Sequence, residues 1–417
     1  MVQSAVYWLI LAAAVAGNWM LPAARRPVWV AVVSIAYLLS FDAPNFAQMQ
    51  SVDLGGIFHL IMLEARGVLP LLCWVLLIWF LRKRIAVEDK FGHWLVTALI
   101  TTVVLQLCYF KYLPPLISLF DGGMAARVIV PLGISFITFR LIHYILETRR
   151  GNLPPHGFWD YLSWASLFTI WTAGPIERID HYLENREDKP SAEMFASGIT
   201  RIILGLGKKF VFGLQLVPML FGDVSDGQGL INSLGHLSTL ETWRFLILSF
   251  FLFYLDFSAY SDIAIGSSRL FGLRIMENFD WPILATNPAV YWKRWHMSLS
   301  GWCQSYIYMP VLGMTRSPYY AVFAAFTCIG LWHSGSWNWL CWGLYHATMV
   351  ASFQTWLRYR RKRKWKVFEA DWLRYPGAVL TVCYTSVAQS FSIIQGFGSP
   401  LDELRILAKL LFINIAA

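Results

Sequence analysis

Long apolar runs separated by short polar connectors make up most of the chain. A helix that crosses the hydrocarbon core of a bilayer needs about 20 apolar residues. Runs of this kind lie at residues 1–24, 27–41, 54–81, 91–112, 125–147, 161–176, 197–221 and 244–271. Residues 317–357 contain no Asp, Glu, Lys or Arg and are long enough for two passes, and residues 375–401 supply one more. The pattern predicts an all-α, polytopic membrane protein with about ten or eleven transmembrane helices.

The composition supports the same class of protein. Of the 417 residues, 57% are apolar and only 14% are charged, whereas a soluble domain has about 25% charged residues. A chain so poor in charge could not keep the surface of a soluble globule hydrated. These values exclude a soluble enzyme, a disordered chain and a nucleic-acid binder. Because no internal repeat and no long soluble insertion is evident, we expect a single membrane domain over residues 1–417.

The distribution of Lys and Arg predicts the orientation of the helices. Arg25 and Arg26 follow the first apolar run, basic residues 82–84 follow the third, and residues 42–53 contain no Lys or Arg. Because basic loops stay in the cytoplasm, the N-terminus is expected outside and the basic run 358–364 inside. Residues 1–24 lack the basic start of a signal peptide, so we expect them to be retained as the first helix.

Polar side chains inside apolar helices are candidates for function, because the bilayer offers them no partners. The apolar stretch 252–266 contains Asp256 and Asp262, and Tyr260 could form hydrogen bonds with them. Asp262 also lies two helical turns from Arg269, within reach of a salt bridge along the helix. The alternative interpretation is that these carboxylates only hold helices together.

A second polar segment, residues 286–303, is too short and too polar to span a membrane. Thr286 or Asn287 can cap a helix whose first turn suits Pro288. One face of this helix carries a stripe at helical spacing: Trp292, Trp295, Leu299 and Trp302. His296 borders that stripe. We therefore predict an interfacial or re-entrant helix, with anchoring at the membrane interface as the alternative role of its tryptophans.

A third segment interrupts the uncharged run 317–357. This segment contains Gly330 and Gly335, with serines at positions 334 and 336. These residues can end one helix and start another, which predicts a broken hairpin. His333 lies at this break. From residue type alone, His333 is either a partner in an interhelical hydrogen bond or a base, because a neutral imidazole can take a proton from a hydroxyl near physiological pH.

Other signatures of chemistry are weak or missing from the sequence. No G-x-S-x-G and no H-E-x-x-H occurs, and Gly205–Lys208 lacks the Ser or Thr of a phosphate-binding loop. The six cysteines form no C-x-x-C pair, so neither a disulfide framework nor a zinc site is indicated. We expect no metal and no tightly bound cofactor.

Several stretches occur together, in order, between residues 131 and 346. They are 131–136 (PLGISF), 173–176 (AGPI), 256–266 (DFSAYSDIAIG), 277–279 (ENF), 292–300 (WKRWHMSLS), 330–335 (GLWHSG) and 342–346 (WGLYH). In combination they resemble the bacterial membrane-bound O-acyltransferase family, in the branch that holds the alginate O-acetylation membrane subunit and the teichoic-acid D-alanyl transfer protein. The chain departs from the family pattern at Ser334, where a glycine is usual, and at residues 303–305, where an Arg-Asp pair is usual.

The resemblance implies tilted helices around a tunnel or funnel, with a motif-bearing core at about residues 131–346. It implies that His333 is the general base, and that His296 orients the acceptor or polarises the thioester carbonyl. Trp295, Trp332 and Trp337 would wall the tunnel and exclude water, which limits hydrolysis. The remaining predicted tunnel residues are Asn338, Tyr260, Asp262 and Ser298.

The expected function is transfer of an acyl group, acetyl above all, to hydroxyls of an exported polysaccharide or wall polymer from within the bacterial inner membrane. The donor would be a cytoplasmic thioester, either acyl-coenzyme A or an acyl carrier protein. The acceptor would be the polysaccharide itself or an extracytoplasmic acyltransferase that relays the group. The alternative in the same class is D-alanyl transfer toward teichoic acid. A transporter is the alternative in another class, although transporters often contain repeated halves.

The predicted orientation can be tested by cysteine labelling in intact cells. A cysteine placed within residues 358–364 should react with a membrane-impermeant maleimide only after the membrane is permeabilised, because the basic run is expected inside. Labelling of that cysteine in sealed cells would contradict the topology.

Overall fold

The computed structural model describes residues 5–41, 54–118, 130–365 and 370–413. The elements in these ranges are helical, apart from one isolated bridge between Arg186 and Leu273, which confirms the all-α prediction. The predicted outer loop 42–53 and the start of the predicted run 125–147 lie outside the described residues.

The described ranges contain the following α-helices. The first half of the chain contains α1 (Ala5–Met20), α2 (Arg26–Phe41), α3 (Leu54–Ile85), α4 (Lys90–Ser118), α5 (Ile134–Arg150), α6 (Phe158–Ser166), α7 (Ile179–Glu184) and α8 (Ala192–Leu206). The second half contains α9 (Gly227–Ser233), α10 (Thr239–Leu270), α11 (Pro288–Arg294), α12 (Met297–Cys303), α13 (Met309–Thr315), α14 (Pro318–His333), α15 (Trp337–Arg363), α16 (Arg374–Ile393) and α17 (Pro400–Leu410). Segments of π-helix, Gly207–Leu216 and Gln304–Tyr308, extend α8 and join α12 to α13.

Among the described residues, three helical stretches are long and apolar enough to cross a membrane. They are Lys90–Pro114, Ala192–Leu220 and Thr239–Leu270, with 25, 29 and 32 residues. At a rise of about 1.5 Å per residue, each exceeds the hydrocarbon core of about 30 Å. The count of ten or eleven spans stays a prediction.

The span predicted at residues 161–176 is wrong. Helix α6 ends at Ser166 after 9 residues, and a short 3₁₀ turn at Phe168–Ile170 follows it. Every residue from Tyr161 to Trp171 is buried. The run is apolar because it packs inside the protein, and hydropathy alone does not distinguish a protein core from contact with lipid.

The chain forms two compact units. One contains Met1–Leu204 with Tyr260–Met276, and the other contains Gly205–Ala259 with Glu277–Ala417. The first unit encloses fully buried aromatic residues: Tyr7, Tyr144, Tyr161, Trp164, Phe168 and Trp171. The second contains a buried apolar cluster: Phe221, Val224, Leu230, Leu234, Phe245, Leu246, Ile394, Ile406 and Leu410. The single domain expected from the sequence stays a prediction.

Helices α14 and α15 form the hairpin predicted for the uncharged run. α14 ends at His333 and α15 begins at Trp337, so the broken hairpin is confirmed. Gly330 lies inside α14 and does not end it. A Cβ atom on Gly330 would stand 2.3 Å from the backbone oxygen of Trp339, and one on Gly343 would stand 2.5 Å from that of Phe326. The two glycines therefore allow the backbones of the hairpin to approach closely.

This close approach predicts that Gly330→Ala destabilises the protein. The added methyl group meets rigid backbone, and such overpacking typically reduces stability by about 1–3 kcal/mol. Gly313→Ala is the matched control, because Gly313 lies in α13 with nothing within 4 Å of the new Cβ. In detergent, the thermal midpoint should fall for Gly330→Ala and stay level or rise for Gly313→Ala. Equal midpoints would show that the hairpin can open without loss.

Candidate functional site

His296 and His333 line the same small cavity in the second unit, together with a third histidine, His346. The cavity has a volume of about 40 Å³, which is room for a group of a few atoms. Aromatic side chains form most of its wall: Phe253, Phe257, Tyr291, Trp292, Trp295, Trp339 and Trp342. The structure thus brings together two histidines that are 37 residues apart in the sequence, 333 − 296 = 37.

His333 is held between indole rings at the end of α14. Its imidazole stacks on Trp339, with ring centroids 4.1 Å apart and an angle of 17° between the planes. Trp342 meets it edge-on at 5.5 Å, and Trp332 lies 4.5 Å away. Because Trp339 and Trp342 belong to α15, the hairpin itself sets the position of the imidazole.

His296 stands at a break between two short helices. Asn287 caps α11 by accepting a hydrogen bond from the Val290 amide at 2.9 Å, as predicted. The continuous helix expected through residue 303 is wrong, because His296 adopts the left-handed conformation with φ of 43°. Such a conformation is strained for a residue with a side chain and persists only when its surroundings enforce it. The side chain of His296 is only 3% exposed, so the packing around it holds the strained residue in place.

Asn278 enforces the position of His296. Its backbone oxygen accepts a hydrogen bond from the Met297 amide at 2.9 Å. Its side-chain oxygen pairs with His296 Nδ1 at 3.0 Å and accepts a hydrogen bond from the Ser298 hydroxyl at 2.7 Å. An amide oxygen can only accept, so Nδ1 of His296 carries the proton.

The tautomer of His296 determines which hydrogen bond its second ring nitrogen, Nε2, can form. In a neutral imidazole with the proton on Nδ1, the other nitrogen, Nε2, has a free lone pair. Among the described residues, His296 Nε2 is buried and has no hydrogen-bond partner. A buried polar atom without a partner is costly unless something binds to it. His296, a residue of the cavity wall, therefore has an unused acceptor for a hydrogen bond at Nε2, and with it a site for a proton.

The predicted tunnel residues of the second unit divide into two groups. Trp295 lines the cavity and stacks on Tyr291, with centroids 5.4 Å apart. The other four, Trp332, Trp337, Asn338 and Ser298, do not belong to its wall. Ser298 supports Asn278, Trp332 contacts the ring of His333, Asn338 is buried, and Trp337 packs against the apolar cluster.

Tyr260 and Asp262 belong to the first unit and do not line this cavity. Asp262 forms an ion pair with Arg201 at 2.6 Å, and Tyr260 forms a hydrogen bond with the Thr172 hydroxyl. The suggested pairing of Asp262 with Arg269 is wrong, because Arg269 instead pairs with a glutamate at 3.0 Å. These contacts favour the structural interpretation of both residues.

A connector of the first unit contains a buried carboxylate that the sequence did not single out. Glu177 is fully buried and accepts a hydrogen bond from the Met276 amide at 2.6 Å. Its other oxygen lies 2.5 Å from Nδ1 of His181. Burial raises the pKa of Glu177, and the hydrogen bond to Glu177 raises the pKa of His181. Both oxygens of Glu177 have protein partners, so this residue ties the connector to the residues after α10.

An open cavity of about 490 Å³ adjoins the histidine cavity in the second unit. Both are lined by Phe253, Trp339, Gln389 and Ser392. The wall of the larger cavity also includes Asp256, which forms an ion pair with Lys209. The histidines therefore lie next to a space large enough for part of a substrate.

His346 lies in the motif 342–346 but is not among the residues predicted for the site. Nothing in the sequence pattern indicates Asn278 or Tyr384 as partners of histidines. Tyr384 comes from α16, outside every motif, and contacts Nδ1 of His346.

In the described ranges, no group of three or more His, Cys, Asp or Glu side chains could hold a metal ion. The chemistry that this site offers is proton transfer between imidazoles and a bound molecule.

The chain is similar to known proteins over most of its length. The model for MBOAT, the membrane-bound O-acyltransferase family, matches residues 73–394. A probable alginate O-acetylase AlgI of Pseudomonas aeruginosa is 32% identical over 270 residues, which are 61% of this chain and 50% of that protein. The corresponding protein of Azotobacter vinelandii is 31% identical over 271 residues, or 60% and 52% of the two chains.

A second kind of relative is covered more fully. The teichoic acid D-alanyltransferase of Streptococcus thermophilus is 29% identical over 292 residues, which are 64% of this chain and 68% of that protein. The chain thus spans about half the length of the alginate-type relatives and about two thirds of this D-alanyl-type relative.

Proposed function

Because the chain belongs to the membrane-bound O-acyltransferase family, we propose that it transfers an acyl group from a thioester to a hydroxyl. One observation carries the proposal: His296 and His333 line one cavity, and Nε2 of His296 is buried there without a partner among the described residues. Acyl transfer to an alcohol requires a group that takes the hydroxyl proton, and a neutral imidazole suits that task.

The proposed reaction replaces the carbon–sulfur bond by a carbon–oxygen bond, and one proton moves from the hydroxyl oxygen to the sulfur. The acceptor hydroxyl donates its proton to an imidazole nitrogen while its oxygen bonds to the thioester carbonyl carbon. The carbon–sulfur bond then breaks, and the leaving sulfur receives the proton. An ester and a free thiol result, with no oxidant, metal or further reactant. The aromatic wall of the cavity keeps water from competing for the acyl group.

We assign the general base to His333 and the orientation of the acceptor to His296. Without a proton on Nε2, neutral His296 cannot donate to the thioester carbonyl, so its place is on the acceptor side. Sugars present neighbouring hydroxyls, and two histidines on one cavity suit such a pair. One hydroxyl would donate to His296 Nε2, while its neighbour would give up its proton to His333.

The acyl group proposed first is acetyl, and the acceptor is an exported polysaccharide or an extracytoplasmic partner that relays the group to it. The similarity to probable alginate O-acetylases supports this choice. D-alanyl transfer from a carrier protein toward teichoic acid is the second candidate, which the broader coverage of a D-alanyltransferase supports. The donor would approach from the cytoplasm, with the protein in the bacterial inner membrane.

A deletion strain complemented with the full chain tests the function. Mild alkali releases ester-linked groups from the surface polymers, and chromatography of the released acids separates acetate from D-alanine. We expect the wild-type chain to restore acetate, whereas restored D-alanine would select the second candidate. If neither is restored while the protein is present in the membrane, the acyl-transfer proposal fails.

His333→Gln should abolish acyl transfer in this assay. Glutamine keeps a polar group of similar reach but cannot act as a base, and positioned bases contribute about 10²–10⁴-fold to rates. The amount of protein in the membrane and its thermal midpoint should stay near the wild-type values. Near-normal ester content with His333→Gln would show that this histidine is only a structural partner.

His296→Asn should affect the acceptor more than the donor. The amide of asparagine reaches only the place of Nδ1, so the variant loses the buried lone pair at Nε2. The apparent KM for the acceptor should therefore rise, while slow hydrolysis of the donor thioester continues. His333→Gln serves as the comparison, because it should lose both reactions. Loss of donor binding in His296→Asn would instead place His296 beside the thioester.

A further inference from the structure

His346 is the third histidine of the cavity, and the proposed reaction has not yet used it. It is 2% exposed and lies within α15. Its ring meets Trp342 edge-on at 4.3 Å and Trp292 edge-on at 4.9 Å. Trp342 also contacts His333, at 5.5 Å, so one indole separates the two imidazoles. The ring of His346 is therefore held in a fixed orientation at the wall of the reaction site.

A chain of hydrogen bonds determines which nitrogen of His346 carries the proton. The indole nitrogen of Trp292 can only donate, and it donates to the Tyr384 hydroxyl at 3.3 Å. The Tyr384 hydroxyl is also within hydrogen-bond distance of His346 Nδ1. Among the described residues, Nδ1 is the acceptor available to the buried hydroxyl proton of Tyr384. Tyr384 thus donates to Nδ1, and Nδ1 is unprotonated.

The proton of the neutral imidazole must then lie on Nε2. A buried imidazole whose partner is a hydroxyl, with no carboxylate contact among the described residues, is held in its neutral form. His346 and His296 are consequently opposite tautomers on one cavity wall. His296 has a lone pair at Nε2, whereas His346 has an N–H donor at Nε2.

We propose that His346 donates a hydrogen bond from Nε2 to the carbonyl oxygen of the thioester, and that Tyr384 positions His346 by setting its tautomer. The inference rests on the proposed acyl transfer. As the acceptor oxygen bonds to the carbonyl carbon, negative charge develops on the carbonyl oxygen. A fixed donor stabilises that charge until the carbon–sulfur bond breaks and the carbonyl forms again. Removal of one such donor typically lowers kcat by about 10²–10³-fold.

Two substitutions at residue 346 separate this role from a structural one. The amide nitrogen of glutamine can reach the place of Nε2, whereas the amide of asparagine reaches only the place of Nδ1. If His346 acts as a donor, His346→Gln keeps much of the activity and His346→Asn loses about 100-fold in kcat. If His346 only accepts the hydrogen bond from Tyr384, the order of the two variants is reversed.

Tyr384→Phe tests the positioning residue. The phenyl ring keeps the packing but removes the hydroxyl that orders His346, so kcat should fall by roughly tenfold, the effect of losing one hydrogen bond. Tyr345→Phe is the matched control. The Tyr345 hydroxyl donates to the backbone oxygen of Tyr384 at 3.0 Å, next to the same pair, and its loss should leave kcat unchanged.

The measurements use the full chain in inverted membrane vesicles from the complemented strain, which contain the native acceptor. Radiolabelled acetyl-coenzyme A and a D-alanyl carrier thioester are the two donor probes, and the maximal rate and donor KM are recorded per amount of folded protein. Unchanged kcat in both His346→Asn and Tyr384→Phe would overturn the inference while leaving acyl transfer intact. If the His346 variants do not fold, the difference in kcat between Tyr384→Phe and Tyr345→Phe still tests the inference. A wild-type chain inactive with both donors would instead refute the proposed function.

Discussion

The hydrogen bond between Asn278 and His296 is the interaction on which the chemistry of the second unit depends. It holds a strained backbone at His296 and places the proton of its imidazole on Nδ1. Because the Ser298 hydroxyl binds the same amide oxygen, the oxygen is fixed as an acceptor. In an apolar protein interior no water competes for the ring nitrogens of a histidine. The hydrogen-bond partner of one nitrogen therefore decides whether the other nitrogen donates or accepts.

The same rule operates at His346, with the opposite result. There a hydroxyl donates to Nδ1, and the proton moves to Nε2. Two residues of identical type thereby have opposite tautomers because their neighbours differ. Such a pair suits the proposed reaction, in which one imidazole accepts a hydrogen bond from a hydroxyl while another donates to a carbonyl oxygen that gains negative charge.

The packing of the hairpin supports this arrangement. Gly330 and Gly343 allow α14 and α15 to approach closely, and the indoles of α15 then stand against the imidazole of His333. The aromatic wall is rigid because large planar rings fill the space around the histidines. For Trp292, Trp295 and Trp302 the sequence also allowed a role at the membrane interface. All three are buried, and Trp292 and Trp295 belong to this wall.

The sequence by itself determined the helical class and the broken hairpin, because these depend on local hydropathy and on breaks in apolar runs. It also selected His296 and His333, which line one cavity, because each lies in a motif contiguous in the chain. The membrane span predicted at residues 161–176 is wrong, because an apolar run buried in protein and an apolar run facing lipid have the same composition. Only the tertiary structure decided that Asp262 pairs with Arg201, that Asn278 holds His296 and that Tyr384 reaches His346. These pairs join residues from 18 to 61 positions apart. No local sequence pattern specifies which distant side chain becomes the hydrogen-bond partner of a buried polar group.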